Sequence, residues 1–124
     1  MTAVPMIAIV DDDQSIRDGI VDLVRSMGFD AEAFKRAEDF LHSSRLEATS
    51  CLITDVRMPG MGGVDLQSYL IARGIKVPII FITAFPEESS QTRAMKAGAA
   101  GFLTKPFDGQ TLINCLYQAL KRPG

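Results

Sequence analysis

The sequence predicts a doubly wound α/β fold, and three observations point there. Short apolar runs alternate with helically patterned stretches five times along the 124 residues, which calls for a parallel sheet with right-handed crossovers and helices on both faces. The run from Val77 to Ile82 is almost uninterrupted apolar sequence, as a central strand buried on both faces requires. The runs also end in chemistry: Asp11, Asp12 and Asp13 follow Met6 to Val10, Asp55 closes Cys51 to Thr54, Thr83 follows Ile82, and Lys105 follows Thr104. The expected strand order is 2-1-3-4-5, as in flavodoxin-like five-stranded sheets.

The elements follow in order. Met6 to Val10 is the first strand. From Ile16 the apolar positions Ile20, Leu23, Val24 and Met27 recur at helical spacing, with Asp13 as N-cap and Gly28 as a left-handed stop. Asp30 to Phe34 reads as an edge-like strand, and Ala37 to Leu46 as a short helix opened by the acids Glu38 and Asp39. Cys51 to Thr54 is the third strand. Met58, Pro59, Gly60, Met61, Gly62 and Gly63 then mark a loop before a helix carrying Leu66, Tyr69 and Leu70, which Gly74 ends. Val77 to Ile82 is the fourth strand, with Pro78 tolerable near its start. Pro86, Glu87 and Glu88 begin a helix with a weak apolar face that Gly98 closes, and Ala100 to Thr104 is the fifth strand. In the last helix Asp108 is the N-cap, Phe107 staples Leu112, Leu116, Ala119 and Leu120 continue the stripe, and Lys121 and Arg122 suit the negative end.

The bulk numbers set bounds. One domain, residues 1–124, can bury a single core. A hydrophobic content of 47% with 23% charged residues is ordinary for a globular fold, and no stretch approaches a bilayer-spanning length of about 20 apolar residues. Met1 to Pro5 has no basic region before its short apolar run, so nothing there reads as a signal peptide, and the cytoplasm is the expected compartment. A net charge of −2 with scattered Lys and Arg argues against nucleic acid as a direct ligand. Cys51 and Cys115 lack metal-ligand spacing and read as buried thiols, and His42 as a solvated residue.

In such sheets ligands sit beyond the carboxyl ends of the strands, between the first and third, where Asp11, Asp12 and Asp55 fall. Converging carboxylates resist joint ionisation unless a cation compensates them. Oxygen donors suit magnesium, with manganese able to replace it, and magnesium is usually completed by a phosphate oxygen. Lys105 is a point charge for a second phosphoryl oxygen, and the Thr83 hydroxyl can donate to a third. A carboxylate among such donors can be the nucleophile, giving an aspartyl phosphate. Asp55, alone at its strand end, takes that role, with Asp12 a direct metal ligand, Asp11 a ligand through water, and the Arg57 backbone carbonyl a further metal oxygen.

These residues make the chain resemble, over essentially its whole length, the receiver domain of two-component response regulators. The family pattern is an acid pair after strand one, a phosphoaccepting Asp after strand three with a downstream Pro-Gly, Thr or Ser after strand four, and Lys-Pro after strand five. Asp11 and Asp12, Asp55 with Pro59 and Gly60, Thr83, and Lys105 with Pro106 meet it. The resemblance implies a cis Lys105–Pro106 peptide, and a switch in which Thr83 moves toward the phosphoryl group and Phe102 turns inward, changing the surface of the last two helices and strand five. It makes Arg57 and Phe85, each two residues after a site residue, positions that tune phosphoryl lifetime. It also implies a sensor histidine kinase as donor and weak self-phosphorylation and self-dephosphorylation in place of turnover. The Lys-Pro-Phe ending resembles receivers that precede a LuxR-type DNA-binding output, so transcription is the expected process, and a homodimer formed on phosphorylation is compatible with it.

Two other readings stay open on the sequence. Asp11 to Ser15 also contains the D-x-D-x-S/T string of haloacid-dehalogenase-type phosphohydrolases, in which Asp11 attacks and Asp13 is the acid, although only Asp108 remains as an acid beyond Lys105. The third reading is a receiver-like interaction module that is never phosphorylated.

Overall fold

The computed structural model describes residues 4–121. Strands β1 (Met6–Val10), β2 (Asp30–Phe34), β3 (Cys51–Asp55), β4 (Ile79–Thr83) and β5 (Gly101–Thr104) form one parallel sheet in the order β2-β1-β3-β4-β5. Helices α1 (Gln14–Ser26), α2 (Ala37–Leu41), α3 (Gly63–Ala72), α4 (Glu88–Lys96) and α5 (Gly109–Lys121) alternate with them. Fold class and strand order are those the sequence predicts.

Every residue of β1, β3 and β4 is buried. Because successive strand side chains point to opposite faces, the sheet divides the core in two. Met6, Ala8, Val10, Leu52, Ile79 and Phe81 meet Phe40, Leu66, Leu70 and Ala94 of α2, α3 and α4. Ile7, Ile9, Ile53, Ile80 and Ile82 meet Ile20 and Val24 of α1 and Leu112 and Leu116 of α5. At the edge, β2 buries only Ala31. Among the described residues no helix is long and apolar enough to cross a membrane.

The expected caps form. Asp13 accepts from the Ile16 amide at 3.1 Å, Asp108 accepts from the Gln110 amide at 3.1 Å, and Phe107 packs into the cluster that holds Leu112. Gly28, Gly74 and Gly98 take positive φ where their helices stop. Lys121 lies in the last turn of α5, whereas Arg122 is outside the described residues. Only Ala94 of α4 is buried, the weak face expected.

Several boundaries differ from the sequence expectation; β3 runs one residue further, to Asp55, and β5 starts one residue later, at Gly101. Helix α2 stops at Leu41 rather than Leu46, because Ser43 turns its amide to Phe40 and its hydroxyl to the Arg45 amide, serine chemistry that competes with a helix. A short 3-10 turn, Leu46–Ala48, takes up the remainder. Strand β4 begins at Ile79, since Pro78 offers a carbonyl to Leu52 but has no amide for the ladder. Helix α4 begins at Glu88, with Glu87 as N-cap and Pro86 outside it.

The register places the site. Asp55 lies opposite Ile82, and Thr83 opposite Thr104. The sheet therefore ends in an acid on β3, a hydroxyl on β4 and, one residue past β5, the ammonium of Lys105.

Candidate functional site

Asp11, Asp12, Asp13, Asp55, Arg57, Thr83, Ala84, Phe85 and Lys105 line one cleft of about 400 Å³ at the carboxyl ends of β1, β3, β4 and β5. It contains every acid, hydroxyl and amine that the sequence assigns to the chemistry. Asp11 is fully buried. One of its oxygens accepts from the Asp13 amide at 2.9 Å and the other from Lys105 Nζ at 2.9 Å, while the Arg17 guanidinium holds its backbone carbonyl at 2.7 Å. Arg17 had no sequence signal beyond helical phase, since what it reaches depends on how α1 packs. Lys105 Nζ also reaches Asp55 Oδ2 at 3.4 Å, and the second Asp55 oxygen faces the Arg57 amide at 3.4 Å. The Lys105–Pro106 peptide is cis.

Burial above all, and then the neighbouring Asp11 charge, push the Asp55 carboxyl above its ordinary pKa, with Lys105 opposing both. Burial works against the Lys105 charge, but the hydrogen bond and charge of Asp11, joined by Asp55, outweigh it and hold the ammonium above its ordinary value. The site thus carries more acid than its lysine balances. Oxygens of Asp11, Asp12 and Asp55 lie within 4.8 Å of one another. This is a hard, all-oxygen donor set with no thiolate or imidazole among the groups that line the cleft, so it could hold magnesium or manganese in preference to zinc.

On the rim, the Thr83 hydroxyl oxygen accepts from the Phe85 amide at 3.1 Å, which leaves its hydrogen as the group able to meet an anion. Phe85 is 65% exposed, so it serves no core. The Arg57 guanidinium lies over its ring, 5.6 Å from the centroid, and pairs with Glu87. Phe102 sits one layer below, half-buried beside Phe81 with ring centroids 5.9 Å apart. Asp13 is spent on capping α1 and stands outside the acid cluster.

Two side chains outside the cleft lining carried no legible signal. The Glu38 carboxylate, read only as a first-turn acid, accepts from the Met61 amide at 3.3 Å, and Gln67, 2% exposed, donates to the Ala94 carbonyl of α4 at 3.1 Å. Both contacts join elements distant in sequence. His42 is exposed, as expected, with its ring against the Glu38 carbonyl; Cys51 is a buried free thiol, as expected, whereas Cys115, read as buried, is only partly buried against the same core cluster. Burial, with Cys115 adding to it, pushes the Cys51 thiol up to about 12, so it is inert at neutral pH.

The family model of the response regulator receiver domain matches residues 7–117. The chain belongs to that family. This receiver domain is 42% identical over 117 residues to "Nodulation protein W" of Bradyrhizobium diazoefficiens, covering 94% of the chain and 52% of that protein. It is 36% identical over 114 residues to "Transcriptional regulatory protein FixJ" of Azorhizobium caulinodans, covering 92% of the chain and 54% of the relative. Among solved structures, the response regulator StyR superposes with a TM-score of 0.88 at 46% identity, covering 96% of the chain and 60% of that one. FixJ-N superposes with a TM-score of 0.87 at 30% identity, covering 99% and 98%. The receiver domain spans about half the length of the first relatives it matches. Receiver domains are the phosphorylation-activated switches of two-component signalling, so the phosphohydrolase alternative gives way.

Proposed function

We propose that Asp55 is the phosphoacceptor of this receiver domain, taking its phosphoryl group from a phosphohistidine on a sensor histidine kinase or from a small acyl phosphate. An Asp55 oxygen attacks phosphorus as the bond to the donor nitrogen or oxygen breaks, and the leaving group keeps the electron pair. The observation that carries this reading is the placement of Asp55 at the cleft floor between an acid pair, an ammonium and a hydroxyl.

Asp12 would ligate magnesium directly and Asp11 through water, with the Arg57 carbonyl adding an oxygen, and the bound ion supplies charge neutralisation to the phosphoryl oxygens. Lys105 exchanges part of its contact with Asp55 for a phosphoryl oxygen, and the Thr83 hydroxyl donates to another. Catalysis is therefore electrostatic and positional. Once Thr83 is drawn toward the phosphoryl group, Phe102 gains room to turn inward, which biases the surface of α4, β5 and α5. Phenylalanine has no hydroxyl to report its orientation, so packing alone favours the inward state. Self-hydrolysis returns the domain to rest. Relatives named as transcriptional regulators support an output in transcription; at net charge −2 the DNA contact belongs to a segment beyond these residues.

The test is labelling with acetyl phosphate and magnesium followed by peptide mass analysis. The peptide with Asp55 gains about 80 daltons, and Asp55→Asn loses that gain; a label that persists in Asp55→Asn refutes the assignment.

A further inference from the structure

The loop from Val56 to Gly62 joins the proposed phosphoacceptor to α3 and carries Arg57. At its inner end it is pinned by its own backbone. The Gly63 amide donates to the Val56 carbonyl at 2.9 Å, and a Cβ on Gly63 would stand 2.3 Å from the Asp55 carbonyl oxygen, so no side chain fits. At its outer end the loop meets a side chain from across the fold. Oε2 of Glu38, on α2, accepts from the Met61 amide at 3.3 Å and lies 2.6 Å from where a Cβ on Gly60 would be. Gly60 has φ +76, so this position combines a left-handed turn with close approach of the carboxylate.

Helix α2 does not require this arrangement. An acid in its first turn would serve the helix dipole from solvent, and exposed Asp39 beside it already can. Glu38 instead turns inward, and its Oε1 is buried without a hydrogen-bond partner among the described residues. A buried carboxylate oxygen left unpaired is a standing cost to the fold. The contact it makes in return is with the loop.

We propose that Glu38 is a positioning residue for the site: by accepting from the Met61 amide it holds the outer end of the Val56–Gly62 loop, and so sets where Arg57 presents its amide to Asp55 and its carbonyl to the metal. The Arg57 amide is 3.4 Å from Asp55 Oδ1, a long contact that small loop movements strengthen or lose. The magnesium part of the inference rests on the proposed function above, whereas the loop part does not.

The experiment compares wild type, Glu38→Leu and Glu38→Gln as the full chain. Exchange of the Met61 amide is followed without metal, and magnesium affinity is read from the amide resonances of Asp55 and Arg57. Glu38→Leu keeps the bulk and removes the acceptor. It is expected to speed Met61 exchange at unchanged global stability and to weaken magnesium binding by roughly tenfold, the low end for groups that orient a metal's ligands. Glu38→Gln keeps an acceptor oxygen and is expected to stay near wild type in both. Unchanged exchange and affinity in Glu38→Leu overturn the proposal, as does a loss in Glu38→Gln equal to that in Glu38→Leu. If the leucine variant does not fold, Glu38→Met, which also lacks the carboxylate acceptor, takes its place with the same expected and overturning results. Wild-type protein that neither binds magnesium nor takes label at Asp55 sinks the phosphoacceptor reading instead, and the Met61 exchange comparison still judges the clasp.

Discussion

Replacing Lys105 with methionine removes the ammonium that lies between Asp11 and Asp55 while keeping most of its stem. The pairs it breaks are 2.9 and 3.4 Å long, and the two aspartate side chains are 0% and 10% exposed, so solvent screens them little. With carboxylate oxygens within 4.8 Å, an effective dielectric constant of about 20 gives a repulsion of about 3.5 kcal/mol once the cation is gone. That is close to the ~3–5 kcal/mol observed when one partner of a buried ion pair is deleted. Protonation of Asp55 relieves it. Burial and then Asp11 already raise this carboxyl above its ordinary 3.8, and loss of Lys105 raises it further. An acid whose folded pKa lies above its unfolded value contributes stability below the unfolded pKa and loses it as pH rises through the folded pKa. The variant is therefore expected to match wild type near pH 4 and to be about 3 kcal/mol less stable by about pH 8 in chelator. The assay is urea unfolding at both pH values, repeated with magnesium, which should restore part of the difference at the higher pH. A penalty equal at both pH values would refute the electrostatic account and assign the loss to packing of the lysine stem.

Two further outcomes follow from the rim of the cleft. Phe85→Ala removes the platform beneath the Arg57 guanidinium and is expected to open a path for water and shorten the phosphoryl lifetime; an unchanged rate of label loss after donor removal rules this out. Thr83→Ala is expected to keep labelling at Asp55 while abolishing the phosphorylation-dependent shift of the Phe102 ring resonances, and a shift of wild-type size in that variant separates Phe102 from Thr83.

Much of the site was legible because a parallel sheet is a strong translator of order. Apolar runs of strand length must align side by side to bury both faces, so the residue that ends each run comes to the same edge. Asp11, Asp55, Thr83 and Lys105 could be assembled from that rule alone, and the caps at Asp13 and Asp108 from local hydrogen-bond chemistry. The boundaries of α2 and β4 were less legible. Ser43 competes with the helix only once Phe40 and Arg45 are in place around it, and Pro78 bears on a ladder whose partner, Leu52, is 26 positions away.

The sequence by itself determined the alternation of strands and helices and the identity of the groups at the cleft, since hydrophobic period, turn residues and the placement of charges are properties of the chain. Only the tertiary structure decided which of those charges face one another: that Lys105 is shared between two buried acids, that Arg57 bridges to Glu87 over Phe85, and that Glu38 turns inward to the loop after Asp55. These are through-space interactions that fall off steeply with distance, and those distances exist only after the helices have packed on the sheet.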